Sequence, residues 1–304
     1  MLQPTTLVRD SKLSFSRIIL GVMKWGIWGK NYSPQEMLTI IESAIEMGLT
    51  TFDHADIYGH YSTEASFGEA LRKKPSLRYD IQLISKCGIK MLSDNRPDHN
   101  IKSYDLSKAY IINCVNQSLK NLHTDYLDLL LIHRPSPIMD PDEIAEAFEY
   151  LLKVGKVRAF GVSNFSPTQF DLINNRFPIV TNQVQASVMH TDPFVDGTFD
   201  HAIRYRYKPM VWSPLGGGDF YTKLEDERVA RIRGVMSEIA YKHGGITVDH
   251  LVLAFLFKHP AHILPVLGTG RLDRMRTAVE ALDVELSDEE WFMIWEASQG
   301  HEVP

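Results

Sequence analysis

The sequence predicts a single (β/α)8 barrel, a TIM barrel with an N-terminal β-hairpin and extra helices. Three observations predict it. Eight strand-like runs alternate with helical patterns along 304 residues; no Pro/Gly/Ser linker or low-complexity tract divides the chain; and ionisable side chains recur where successive strands end. The strand-like runs are 17–21, 50–55, 81–86, 127–133, 157–163, 181–187, 209–214 and 263–268, after a hairpin over 7–15. Runs such as Leu127-Asp-Leu-Leu-Leu-Ile132 are nearly all apolar, as strands buried on both faces must be. Helical patterns cover 33–47, 65–73, 106–122, 141–154, 167–175, 198–205, 227–242, 247–258, 272–282 and 288–298. Two of them open Ser-Pro, at Ser33 and Ser166, which supplies an N-cap and a proline at the first helical position. A doubly wound open sheet shares the local alternation, so closure rests on the count of eight.

Composition narrows the function classes. Hydrophobic content of 44% and charged content of 23% are those of a soluble globular chain. A formal net charge of -6 argues against nucleic acid or an anionic membrane as partner. No apolar stretch is long enough to span a bilayer, and the N-terminus does not read as a signal peptide. Two cysteines, Cys87 and Cys114, make no disulfide framework, so a reducing, cytoplasmic location is expected. The twelve histidines show no metal-ligand spacing. Oligomeric state stays open, with a monomer as a plausible form.

The chemistry-bearing residues sit at strand ends. Asp53 and Tyr58 lie in Thr51-Phe-Asp-His-Ala-Asp-Ile-Tyr-Gly59, Lys86 ends the third run and His133 the fourth. Asn164 and Trp212 end the fifth and seventh, whereas Gln183 lies nearer the start of its strand. Barrel enzymes place their catalytic residues at such C-terminal tips. A tyrosine is a reluctant proton donor at neutral pH; a neighbouring ammonium is expected to lower its pKa, and a carboxylate to hold that ammonium in place. With an imidazole nearby, the set suits protonation of an oxygen that gains charge as a carbonyl is reduced. Singly, each residue has a plainer reading: a loop cap, a half-buried aromatic, a surface lysine, a satisfied histidine. Jointly, the plainer readings require four coincidences on adjacent strand tips.

These residues, with Gly155-Lys-Val-Arg-Ala-Phe-Gly-Val-Ser-Asn-Phe165, Asn182-Gln-Val-Gln185 and Trp212-Ser-Pro-Leu-Gly216, resemble the aldo-keto reductase superfamily from the hairpin to about Leu282. His54, Ser85-Lys-Cys-Gly88, Gly216-Gly-Gly218 and the ending Gly300-His-Glu-Val-Pro304 are most similar to its bacterial YdhF-type oxidoreductases. The resemblance implies an NADP(H)-dependent carbonyl reductase. Tyr58 would be the general acid, Lys86 and Asp53 its pKa-lowering pair, and His133 the substrate-orienting or proton-relaying group. Ser163, Asn164 and Gln183 would hold the nicotinamide carboxamide and Trp212 stack on its ring. Ser213, Pro214, Leu215, Gly216 and Gly217 would follow the pyrophosphate, and Val22 and Met23 would join the cofactor set.

Gly268-Thr-Gly-Arg-Leu-Asp273 follows the eighth strand and opens a helix, but lacks the third glycine of a dinucleotide-fold fingerprint. A phosphate site after the last barrel strands is the alternative. Family position implies that Gly268, Thr269, Gly270, Arg271, Arg274 and Ala278 line it, with Arg274 on an adenosine 2′-phosphate. Where many relatives carry a lysine and an asparagine, this chain has Gly268 and Ala278, which implies looser discrimination between NADP and NAD. Arg276 reads as a solvated helix face. Trp25, His54 and Phe220 are expected as substrate walls; Trp25 and Phe220 suggest an apolar or aromatic carbonyl compound, His54 and Arg134 a polar one, and the sequence does not decide between them. Two rivals remain: an NADP-binding sensor subunit with little turnover, and a hydrolase or lyase using Asp53 and Asp56.

Overall fold

The computed structural model describes residues 3–8 and 13–304. In chain order the strands are β1 (Thr5–Thr6), β2 (Ser14–Phe15), β3 (Ile19–Gly21), β4 (Thr51–Asp53), β5 (Gln82–Cys87), β6 (Ile89–Lys90), β7 (Ser103–Tyr104), β8 (Leu129–Ile132), β9 (Phe160–Ser163), β10 (Asn182–Gln185), β11 (Met210–Trp212) and β12 (Leu264–Leu267). The helices are α1 (Pro34–Glu46), α2 (Tyr58–Tyr61), α3 (Thr63–Lys73), α4 (Lys108–Asn121), α5 (Pro141–Lys153), α6 (Pro167–Asn174), α7 (Thr198–Tyr205), α8 (Asp219–Thr222), α9 (Glu227–Lys242), α10 (Val248–Phe257), α11 (Leu272–Glu280) and α12 (Asp288–Gln299).

Eight parallel strands close in the order β3-β4-β5-β8-β9-β10-β11-β12, so the barrel expected from the count is present and the open sheet is excluded. β1 pairs antiparallel with β2; the expected hairpin's turn, 9–12, lies outside the described residues. The short elements were not anticipated: α2, α8, and the pair β6 and β7, which form a short antiparallel arm beyond the third barrel strand.

Helix starts follow their local chemistry. At α1 the Ser33 hydroxyl accepts from the Glu36 amide while the Glu36 carboxylate accepts from the Ser33 amide, and Pro34 occupies the first helical position. Ser166 with Gln169 repeats the device at α6, and Ser287 with Glu290 at α12.

Two-residue alternation divides the side chains of the barrel strands between two cores. Ile19, Ile84, Leu129, Leu131, Met210, Leu264 and Val266 pack together inside the barrel, with Leu7 and Phe15 of the hairpin against them. Leu20, Leu83, Leu130, Ile132, Val162 and Val211 join the larger core beneath the helices. Lys86 shares the parity of Ile84, and Asp53 pairs with Ile84 in register. His133 shares the parity of Leu131. The pleat that buries leucine therefore carries these polar side chains inward at the barrel's C-terminal end.

Candidate active site

The Lys86 ammonium is the hub. It donates to Asp53 Oδ2 at 2.7 Å, to the His54 carbonyl at 2.9 Å and to the Tyr58 hydroxyl at 3.1 Å. Lys86 and Asp53 are 1% and 2% exposed, so this ion pair is almost wholly out of water. Burial of that kind costs several kcal/mol per ion and is tolerable only with full hydrogen bonding. The second Asp53 oxygen supplies part of it, accepting from Gln183 Nε2 at 3.0 Å. Gln183, the least regular candidate by strand position, thus reaches the Asp53 carboxylate from β10. Among the groups acting on Lys86, burial works against the ammonium, but Asp53 and Tyr58 outweigh it and raise its pKa.

For Tyr58 the expected direction is reversed. Burial raises its pKa above the ordinary phenol value and Asp53 adds to the rise, although Lys86, by charge and hydrogen bond, opposes both. The hydroxyl is held firmly protonated, so Lys86 orients it and tempers its pKa without bringing it below that of a free phenol. The His133 ring meets the Tyr58 ring edge-on at 6.1 Å between centroids. Burial, then Lys86 and Arg134, push its pKa well below the usual histidine value, and its buried Nδ1 has no partner. It is a neutral imidazole beside the phenol.

A second polar chain runs along the adjoining strand tips. Trp212 Nε1 donates to Asn164 Oδ1 at 2.9 Å; Asn164 Nδ2 donates to Ser163 Oγ at 2.7 Å and to the His133 carbonyl at 3.3 Å. Ser163 Oγ donates to the Gln183 carbonyl at 2.9 Å. Asn164 and Ser213 both hold left-handed backbone, φ 61° and 53°, a conformation that non-glycine residues adopt at a cost of about 1–3 kcal/mol and that clusters at functional sites. The guanidinium of Arg134 lies 5.7 Å from the centre of the Trp212 ring.

The segment after β11 turns through Gly216, Gly217 and Gly218, all at positive φ; a Cβ on Gly218 would meet nothing within 4 Å. Leu215, Gly216 and Gly217 keep exposed surface there, whereas Val22 and Pro214 are buried and Met23 is exposed. Gly268, Thr269 and Gly270 lead into α11. Arg271 is tied to Asp273 in a two-point ion pair, while Arg274 is exposed and forms no ion pair among the described residues. Ala278 is 1% exposed inside the main core, so it offers no surface to an adenine and leaves the contact set.

The three expected substrate walls also need correction. Trp25, His54 and Phe220 have no exposed surface. Trp25 packs edge-on against Phe52 and donates its indole N–H to the Thr269 carbonyl; His54 lies edge-on to Phe67; Phe220 sits beneath Arg233. The partly exposed side chains beside the phenol and the indole are instead Trp28, 6.2 Å from the Tyr58 ring, and Arg134. Trp28 was legible only as the second aromatic of Trp25-Gly-Ile-Trp28.

Behind the site, Glu64 accepts from Ser85 at 2.6 Å and Asn121 at 3.4 Å, a buried carboxyl whose pKa is raised by desolvation. Asp56 is likewise raised, by burial first. Asp53, by contrast, is fully engaged by Lys86 and Gln183. Asp53 and Asp56 therefore do not form the free carboxylate pair a hydrolase would use. Cys87 is buried, as a small hydrophobe would be, and neither cysteine is in a disulfide. No His/Cys/Asp/Glu group suited to a metal occurs among the described residues.

Comparison with known proteins agrees with this geometry. The Aldo/keto reductase family model matches residues 17–299. The chain is 44% identical over 294 residues to the oxidoreductase YcsN of Bacillus subtilis, covering 96% of this chain and 97% of that one. It is 42% identical to the oxidoreductase YdhF of Escherichia coli over 95% and 96% of the two chains. A 6-dehydroglucose reductase of Agrobacterium fabrum is 38% identical over 97% and 98%. The crystal structure of the thermostable aldo-keto reductase Tm1743 in complex with the inhibitor epalrestat superposes with a TM-score of 0.80 at 27% identity, covering 97% of this chain and all of that one. The chain belongs to the aldo/keto reductase family and is an oxidoreductase of that family.

Proposed function

We propose that this oxidoreductase reduces aldehydes and ketones to alcohols with NADPH, and that Tyr58 is the general acid. The carrying observation is the Lys86 ammonium held between the Asp53 carboxylate at 2.7 Å and the Tyr58 hydroxyl at 3.1 Å. The nicotinamide, when bound, supplies the hydride. The residues fit such a group: polar Ser163, Asn164 and Gln183 beside the indole of Trp212, glycines without Cβ along the following turn, and an exposed cation at Arg274.

In the reduction, the carbonyl carbon gains the hydride while its oxygen takes the Tyr58 proton, and the alcohol leaves. The tyrosinate formed is stabilised by Lys86, which Asp53 keeps charged and oriented, and regains its proton from solvent. His133, neutral with an unpartnered ring nitrogen, orients the substrate oxygen or relays that proton. Arg134 and Trp28 admit a substrate with both polar and flat apolar parts. A reducing cytoplasmic setting suits the free thiols, and a small molecule, without nucleic acid or membrane, is the partner.

The test is cofactor oxidation by the purified protein with NADPH and a panel of aldehydes that includes aromatic aldehydes and 6-dehydroglucose. Turnover supports the reductase. Tight NADPH binding with negligible turnover across the panel would support a sensor and refute the reductase.

A further inference from the structure

The opposite, N-terminal end of the barrel carries a cluster of cations that the reduction does not use. β11, β12 and β3 are neighbours in the barrel, and each is entered by a basic residue: Lys208 before β11, His262 before β12 and Arg17 before β3. Arg206 lies on the same side at the end of α7. A cavity of about 430 Å³ opens here, lined by Arg206, Lys208 and His262 together with apolar Ile203, Pro260 and Ala261. No Asp or Glu lines it among the described residues, and Arg17, Arg206, Lys208 and His262 form no ion pair among them.

Arg17 and Lys208 repel each other and disfavour the charged form of the His262 ring, which serves as a neutral hydrogen-bonding group at physiological pH. Burial and then Arg17 hold Lys208 below the ordinary lysine value; burial, Lys208 and Arg17 do the same to His262. Burial pushes Arg17 down to about 10. Arg17 donates to the Ile263 carbonyl and stacks on Phe257, and Lys208 donates to Thr5 in the hairpin, so both are fixed in place. Arg206 and His262 hold left-handed backbone, φ 58° and 54°. In a chain of net charge -6, a basic cluster around a cavity of ligand size, with no carboxylate lining it among the described residues, suits an anion.

We propose that this cavity binds a phosphate monoester of a small molecule, its phosphate on Lys208, Arg206 and His262 and its organic body against Ile203 and Pro260. The site is separate from the catalytic end, so its occupation ties the hairpin to the barrel floor without competing for the carbonyl.

The test measures binding of inorganic phosphate and of phenyl phosphate by calorimetry, and the thermal midpoint, with sodium chloride at equal ionic strength as control. The double variant Arg206→Asn/His262→Asn keeps side chains that tolerate positive φ, so the fold is retained. Arg274→Glu reports any phosphate held at the cofactor end. Phenyl phosphate binding more tightly than phosphate, weakened about tenfold or more in the double variant but not in Arg274→Glu, supports the site. Chloride-like behaviour, or a loss confined to Arg274→Glu, overturns it. Reductase turnover of the double variant is expected unchanged.

Discussion

Tyr58 and the two histidines around it set the expected pH behaviour. A general acid works only while protonated, and burial raises the Tyr58 pKa above its ordinary value of 10.0. His133 is already neutral at physiological pH. The rate of carbonyl reduction is therefore expected to be flat from about pH 6 to 9 and to fall only at higher pH, as Tyr58 loses its proton. A bell with a limb near neutral pH in the kcat profile would place a different group in control. His54 makes a separate prediction, about stability. Burial and then Lys86 lower its pKa from 6.5 to about 3, and both ring nitrogens lack partners. Its folded pKa lies below its unfolded one, so its neutral form is favourable above pH 6.5 and becomes a liability as pH falls toward 3. Glu64 and Asp56, both raised, act in the opposite sense, so the comparison must be made against a variant. His54→Leu should lose less stability than wild type between pH 7 and 5; parallel melting curves would remove His54 as the cause.

Glycines decide how closely the helices pack. Gly68 on α3 faces the end of α4, where an added Cβ would lie 1.9 Å from the Asn121 carbonyl oxygen. That contact is with backbone, so neither helix can relieve it cheaply. Gly68→Ala should destabilise by about 1–3 kcal/mol. Gly234, exposed on α9, meets nothing within 4 Å, and Gly234→Ala should stabilise by about 0.5–1 kcal/mol through helix propensity. Denaturant midpoints of the two variants moving in the same direction would contradict the packing account. The start of α11 belongs to the same scale. Arg271 is spent on Asp273, which leaves Arg274 and Arg276 exposed and without an ion pair among the described residues, Arg274 nearer the start of α11. Arg274→Glu should erode the proposed preference for NADPH over NADH; unchanged selectivity between the cofactors would remove Arg274 from the proposed 2′-phosphate contact.

At the scale of the whole molecule, one alternation does two tasks: it sends leucines into the barrel's interior and, two residues further on, Lys86 and His133 into its mouth. That is why the eight strands and the catalytic candidates were legible together, as continuous apolar runs ending in ionisable residues. The run 127–133 overshoots the ladder Leu129–Ile132 because Leu127 and Asp128 ahead of it are buried too, Leu127 in an isolated bridge with Val157. The β6–β7 arm was missed because two-residue strands carry no period. Trp25, His54 and Phe220 were misplaced because their burial depends on distant partners such as Phe52 and Phe67, which local sequence does not reveal. The direction of the Tyr58 shift escaped for a like reason: charge neighbours can be read from strand tips, but desolvation needs the whole enclosure.

The most direct measurement is single-turnover aldehyde reduction by Tyr58→Phe, paired with its NADPH affinity. The Lys86–Asp53 pair remains, and only the phenolic proton is lost. Reduction should slow by about 10²–10⁴-fold, the usual worth of a positioned acid, with NADPH affinity nearly unchanged. Reduction at the wild-type rate would mean that the proton comes from elsewhere.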